Sequence, residues 1–126
     1  MDRRGVARLR PRAGVAWPRT GCAYSRRMTT FVFRLIAPRP TFALDMSDEE
    51  RAVMERHAAH WQPLIEEGRM VVFGPVLDAS GSWGLGVVEA EDEDELRALA
   101  AQDPAVTTGT ARVELGKLLV GFVRPG

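Results

Sequence analysis

The sequence has one cysteine, Cys22, one tyrosine and only two histidines among 126 residues. A lone thiol near the N-terminus leaves the rest of the chain without an intramolecular disulfide or a thiolate metal cluster, and it fits a reducing, cytoplasmic setting. No apolar run approaches the roughly 18 residues needed to cross a bilayer, so no membrane-spanning helix and no membrane partner are expected. There is no glycine-rich phosphate loop and no serine nucleophile elbow. Gly84-Leu85-Gly86 is too short and wrongly placed to bind a dinucleotide. Net charge is also missing, since 17 basic and 17 acidic residues cancel.

That balance hides an asymmetry. Residues 1–27 carry eight arginines against Asp2, whereas the remaining 99 residues carry nine basic and sixteen acidic groups. The first 27 residues mix Arg, Gly and Pro without helical or strand periodicity and are expected to stay disordered. They lack the apolar stretch of a secretory signal. An upstream start, with Met28 as the true beginning, accounts for them most simply; an organelle transit peptide and a phosphate-gripping basic arm are the alternatives. Residues 28–126 have the length and composition of one globular domain, and their net acidity disfavours nucleic acid as a partner.

From Met28 onward the pattern is regular. Thr29 to Ala37 is rich in β-branched and aromatic residues and stops at Pro38, which predicts a strand followed by a Pro38–Pro40 loop. Ser47 with Glu50 forms a capping box, so a helix is expected from there to about Glu67, closed by Gly68 and kinked near Ala59 to Pro63. Arg69 to Leu77 reads as a strand that Gly74-Pro75 interrupts in the way an edge or a bulge would. A turn at Asp78 to Gly81 leads to a third strand, Trp83 to Glu91. The acidic run Asp92 to Glu95 suits the positive start of a helix, which ends before Asp103-Pro104. A last strand is expected from about Arg112 to Val123.

The order βαββαβ in under 100 residues is the ferredoxin-like plan: an α+β fold, with an antiparallel sheet carrying two helices on one face. The first strand is apolar on both sides, Phe31, Phe33 and Leu35 alternating with Val32 and Ile36. Its second face therefore needs cover, and a homodimer pairing two bare sheet faces supplies it.

Both histidines fall on the first helix. At 100° per residue, Met54, His57, Trp61, Leu64 and Ile65 share an arc about 100° wide, with His57 inside it and His60 at its edge. A ring on an apolar face needs a hydrogen-bonding partner. Asp78, where the second strand leaves the sheet, is the expected one, and the pair has the components of an acid–base centre. The plainer alternative is a satisfied core histidine and a turn-forming aspartate. Trp61 and Trp83 either line a pocket for a small ligand or pack the core. Gly74-Pro75 bends the strand and aims Asp78. Asp103 caps or terminates a helix, or else belongs to the pocket or dimer. His57, His60 and Asp78 together are a weak metal set, and no metal is expected.

The combination of His57-x-x-His60-Trp61 running to Gly68, then Phe73-Gly74-Pro75-Val76-Leu77-Asp78 and Gly81, then Val88-Glu89-Ala90 and Asp103-Pro104-Ala105-Val106, resembles the YciI-like (YCII-related) family. The resemblance covers Thr30 to the last strand and leaves residues 1–27 outside. It implies the ferredoxin-like fold of the dimeric α/β-barrel superfamily and a site built on a His and an Asp. Those roles carry over to His57 and Asp78, because the spacing to Gly68 selects His57 over His60. His60 stands where relatives carry an aromatic residue.

The resulting expectation is a small dimeric enzyme that uses His57 and Asp78 on a small organic substrate in a lyase or isomerase reaction needing no cofactor. His60, Trp61, Gly74, Pro75 and Trp83 are the candidate substrate-binding residues. The alternative is a non-catalytic ligand-binding or dimerisation module. Cofactor-free oxygenation of an aromatic is a third option, resting on fold analogy alone.

Overall fold

The computed structural model describes residues 28–122 and 125, so the expectations for residues 1–27 and for Val123 lie outside it. Residues Thr29–Leu118 form one compact unit, separate from the terminal segments. The described terminal residues form no helix or strand.

In the compact unit the elements are β1 (Thr29–Ile36), α1 (Phe42–Asp45), α2 (Asp48–Glu66), β2 (Met70–Asp78), β3 (Gly81–Ala90), α3 (Glu93–Ala101), α4 (Pro104–Thr107) and β4 (Arg112–Lys117). The sheet order is β2-β3-β1-β4 and the recorded pairings are antiparallel. The fold is thus the expected α+β, ferredoxin-like βαββαβ arrangement, with two short helices added.

Local chemistry fixes the main boundaries. Ser47 accepts from the Glu50 amide while the Glu50 carboxylate accepts from the Ser47 amide, so the capping box closes both ways. Gly68, at φ +81, turns the chain out of α2. The helix stays helical through Pro63; Ala59, four residues earlier, is exposed, which leaves its carbonyl free to be solvated. Asp92 caps α3 by accepting from the Glu95 amide.

The core lies between one sheet face and the helices. Phe31, Phe33 and Leu35 of β1 pack with Trp61 and Leu64 of α2, Leu96 and Ala100 of α3, and Met70 and Val88. Ile65, placed on the buried arc by helical periodicity, is exposed. On the opposite face Val32, Ile36, Leu85 and Val87 are half-buried, and the Arg34 guanidinium lies 4.5 Å from the centre of the Trp83 ring.

Three expectations are corrected. Gly74-Pro75 is not a bulge: the register runs regularly from Phe73 opposite Gly86 to Asp78 opposite Gly81, and the irregularity falls between Met70 and Val72. The other expected reading of the pair holds: β2 is an edge strand, which accommodates the proline. The Pro38–Pro40 loop continues into α1 instead of running directly to α2. The last strand ends at Lys117, and the following Leu118 amide donates to the Thr30 carbonyl. Among the described residues no helix is long and apolar enough to cross a membrane.

Candidate active site

The buried polar centre begins with an interrupted helix. Pro104 disfavours a helical conformation at the residue before it, so α3 stops and Asp103 takes an extended conformation (φ −63, ψ 127) as the cap of α4. Its Oδ1 accepts from the Ala105 amide at 2.9 Å. The other oxygen faces α2, where His57 and Trp61, four residues apart, stack on one side of the helix. Trp61 Nε1 donates to Asp103 Oδ2 at 2.8 Å, and His57 Nδ1 lies 2.7 Å from the same oxygen.

Asp103 and Trp61 are wholly inaccessible to solvent and His57 is 6% exposed. Burial pushes the Asp103 carboxyl up, yet the hydrogen bonds from His57, Trp61 and the Ala105 amide outweigh it and hold the group below its ordinary value. The carboxylate is therefore ionised at neutral pH and can only accept. His57 must donate from Nδ1, and in the neutral ring Nε2 is left as the bare, basic nitrogen.

The His57 ring stacks on Phe73, with centroids 5.3 Å apart, and borders a cavity of about 270 Å³. Phe33, Leu35, Phe42, Met46, Met54 and Phe73 supply much of its wall, which is overwhelmingly apolar. The wall near α1 is fixed by hydrogen bonds. The Ser82 amide donates to the Pro40 carbonyl at 2.7 Å, and the Ala43 amide donates to Ser82 Oγ at 3.1 Å. Gly81, at φ +119, allows this approach, since a Cβ there would lie 2.5 Å from Pro40 Cβ. Arg39 braces the same segment by pairing with Asp45 and bidentately with Glu50. Bonds from Arg39, then from the Ser47 amide, hold the Glu50 carboxyl at about 2.

The structure thus brings His57, Gly74 and Pro75 to one cavity; Trp83 of β3 also borders it, but its ring lies on the opposite sheet face against Arg34 and Asp78, and other expected site residues lie elsewhere. Asp78 does not pair with His57. Alternation along β2 puts Phe73 on the helix side, so Asp78, five residues on in an unbroken register, belongs to the opposite side. There it accepts from the Ser80 hydroxyl and amide and from Trp83 Nε1, bonds that hold its carboxyl below its ordinary value. It is a turn former.

His60 is also outside the cavity. Its Nε2 donates to the Leu99 carbonyl at 2.8 Å, tying α2 to α3. Trp61 donates to Asp103 and does not border the cavity. Consequently His57, His60 and Asp78 do not converge as metal ligands. Asp103, Ser82 and Phe42 are the residues that the expected site lacked. The available signal for Asp103 was the pair of N–H-bearing rings at His57 and Trp61, one turn apart on an apolar face and in need of a shared acceptor.

Comparison with known proteins places this geometry in context. Among solved structures, 5-chloro-2-hydroxyhydroquinone dehydrochlorinase of Burkholderia phenoliruptrix AC1100, in complex with 2,5-dihydroxybenzoquinone, matches with TM-score 0.55 and 20% identity over 72% of this chain and 95% of that one. An uncharacterised protein of Thermotoga maritima matches at TM-score 0.41 and 13% identity, covering 72% and 98% of the two chains. A Nitrosomonas europaea protein of unknown function matches at 0.42 and 15%, covering 79% and 98%. No curated protein matches the sequence. The likeness to the dehydrochlorinase bears out the expected α+β, ferredoxin-like fold. The family model of the YCII-related domain matches residues 30–117, from the start of β1 to the end of β4, and the chain therefore belongs to the YCII-related domain family.

Proposed function

We propose that the protein is a small enzyme that moves a proton on a small organic molecule, in a lyase or isomerase reaction without a cofactor. His57 is the acid–base group and Asp103 its orienting anion. The observation that carries this reading is the 2.7 Å contact between His57 Nδ1 and a wholly buried carboxylate, on a ring that borders an apolar cavity.

The chemistry follows from the charges. A substrate C–H bond beside a carbonyl breaks, its proton passes to His57 Nε2, and the electron pair moves onto the carbonyl oxygen. The imidazolium so formed is compensated by Asp103. Returning the proton to another carbon completes an isomerisation, and loss of an adjacent leaving group with the electron pair completes an elimination. Positioned acid–base catalysis of this kind contributes about 10²–10⁴-fold. The fold is shared with a dehydrochlorinase, which supports an enzyme of small molecules without assigning residues.

Exchange of α-hydrogens in D₂O tests the reading. With a panel of small enolisable ring ketones and hydroxyquinones followed by proton NMR, the wild type should accelerate exchange of at least one compound, and His57→Gln should abolish the acceleration. Exchange that survives His57→Gln, or compounds that bind without any exchange, would refute catalysis. The latter outcome would favour a binding module, a reading supported by the complete hydrogen bonding of Asp103.

A homodimer is part of the proposal. Val32, Ile36, Leu85 and Val87 form an apolar band on the sheet face away from the helices, and pairing that face with a second copy removes it from water.

A further inference from the structure

We infer that Ser82 is the group that binds the substrate's oxygen, so that the cavity takes small neutral ring compounds bearing a carbonyl in preference to acids of similar shape. The inference rests on the reading above, in which this cavity is the reacting site.

Among the residues bordering the cavity, three side chains carry nitrogen or oxygen: His57, Ser82 and Trp83. The Trp83 indole N–H already donates to Asp78. Ser82 is 8% exposed and its Oγ accepts from the Ala43 amide. Its hydroxyl proton has no acceptor among the described residues. A buried hydroxyl normally satisfies its donor, and this one borders a cavity with room for an acceptor atom. The N–H bond it accepts also polarises it towards donation.

The rest of the wall selects against charge. Among the described residues no lysine or arginine borders the cavity, and the positive charge that His57 acquires on taking a proton is already matched by Asp103. A carboxylate ligand would be desolvated without a counter-ion, whereas a neutral carbonyl needs one donor. An apolar cavity of about 150 Å³ is known to hold benzene, so one of about 270 Å³ fits a single substituted ring. When His57 removes the α-proton, the electron pair shifts onto the oxygen held by Ser82, and the developing negative charge strengthens that hydrogen bond.

The test uses the full chain with two probes of one shape, carbonyl-¹³C cyclohexanone and methylenecyclohexane, titrated by protein NMR. Ser82→Ala should weaken the ketone about 3- to 10-fold, the range of one net hydrogen bond, and leave the hydrocarbon within about twofold. The ketone's ¹³C resonance should shift on binding to wild type, lose that shift in Ser82→Ala and regain it in Ser82→Thr. An unchanged ketone affinity, equal weakening of both probes, or a carbonyl shift that persists in Ser82→Ala would overturn the role of Ser82. Failure of both probes to perturb His57 in wild type would instead overturn the cavity as the site.

Discussion

Replacing Asp103 by asparagine removes one charge and almost no volume, and its cost can be worked from three contacts. The carboxylate receives the His57 ring, the Trp61 indole and the Ala105 amide, with no solvent to substitute for any of them. An asparagine has one acceptor oxygen. Set at the Oδ2 position, it leaves its NH₂ against the Ala105 amide. Set at Oδ1, it turns the NH₂ on the Trp61 indole and forces His57 to present a bare Nδ1. Either way a buried donor is orphaned, at about 1–3 kcal/mol. For a domain near 100 residues that corresponds to a fall in melting temperature of about 5–20 °C at pH 7.

The pH dependence has a definite sign. Because the folded Asp103 carboxyl titrates below its unfolded value, its stabilisation is complete above about pH 4 and is lost as pH falls through the folded value. The melting gap between wild type and Asp103→Asn should therefore narrow on acidification. Circular dichroism melts from pH 7 to pH 3 make the measurement. A variant melting within about 2 °C of wild type at pH 7, or a gap that widens in acid, would refute the hydrogen-bonding scheme.

Other expectations follow from neighbouring contacts. Gly84→Ala would bring a Cβ to 2.9 Å from Leu35 Cβ; displacing that side chain should cost about 1–3 kcal/mol in chemical denaturation and weaken ring probes at the cavity. His60→Ala removes the bond to the Leu99 carbonyl and the edge-on contact with the Trp61 ring, so it should cost about 1–3 kcal/mol while probe binding stays within twofold of wild type. Asp78→Asn should leave the nitrogen-15 signals of His57 unchanged, since the two residues belong to opposite sheet faces. Sedimentation should show a dimer that Val87→Lys converts to a monomer; a monomeric wild type would end the proposal of a paired sheet face.

Much of the scaffold was legible because its signals are local. The capping box at Ser47 and Glu50, the left-handed glycine after α2 and the strand composition each determine their own neighbourhood. His57 was legible as a polar group inside an apolar arc. Its partner was not, because choosing Asp78 from its place at a strand end ignores side-chain alternation, which decides the face on which a residue lies. Asp103 is 46 residues from His57 in sequence, and it reads as a simple cap until Trp61 is recognised as a second donor to the same oxygen. The four-residue helix at Phe42 is too short for any periodicity to reveal. The regular register through Pro75 depends on β2 lying at the sheet edge, which only strand order discloses.

The tautomer of His57, read from long-range proton–nitrogen-15 correlations at pH 8.5, above the usual imidazole range, decides whether a base faces the cavity. An Nδ1–H ring with bare Nε2 is predicted, and Asp103→Asn should disturb it. An Nε2–H ring in wild type would mean that Nδ1 accepts rather than donates at Asp103, and that no base is presented to the cavity.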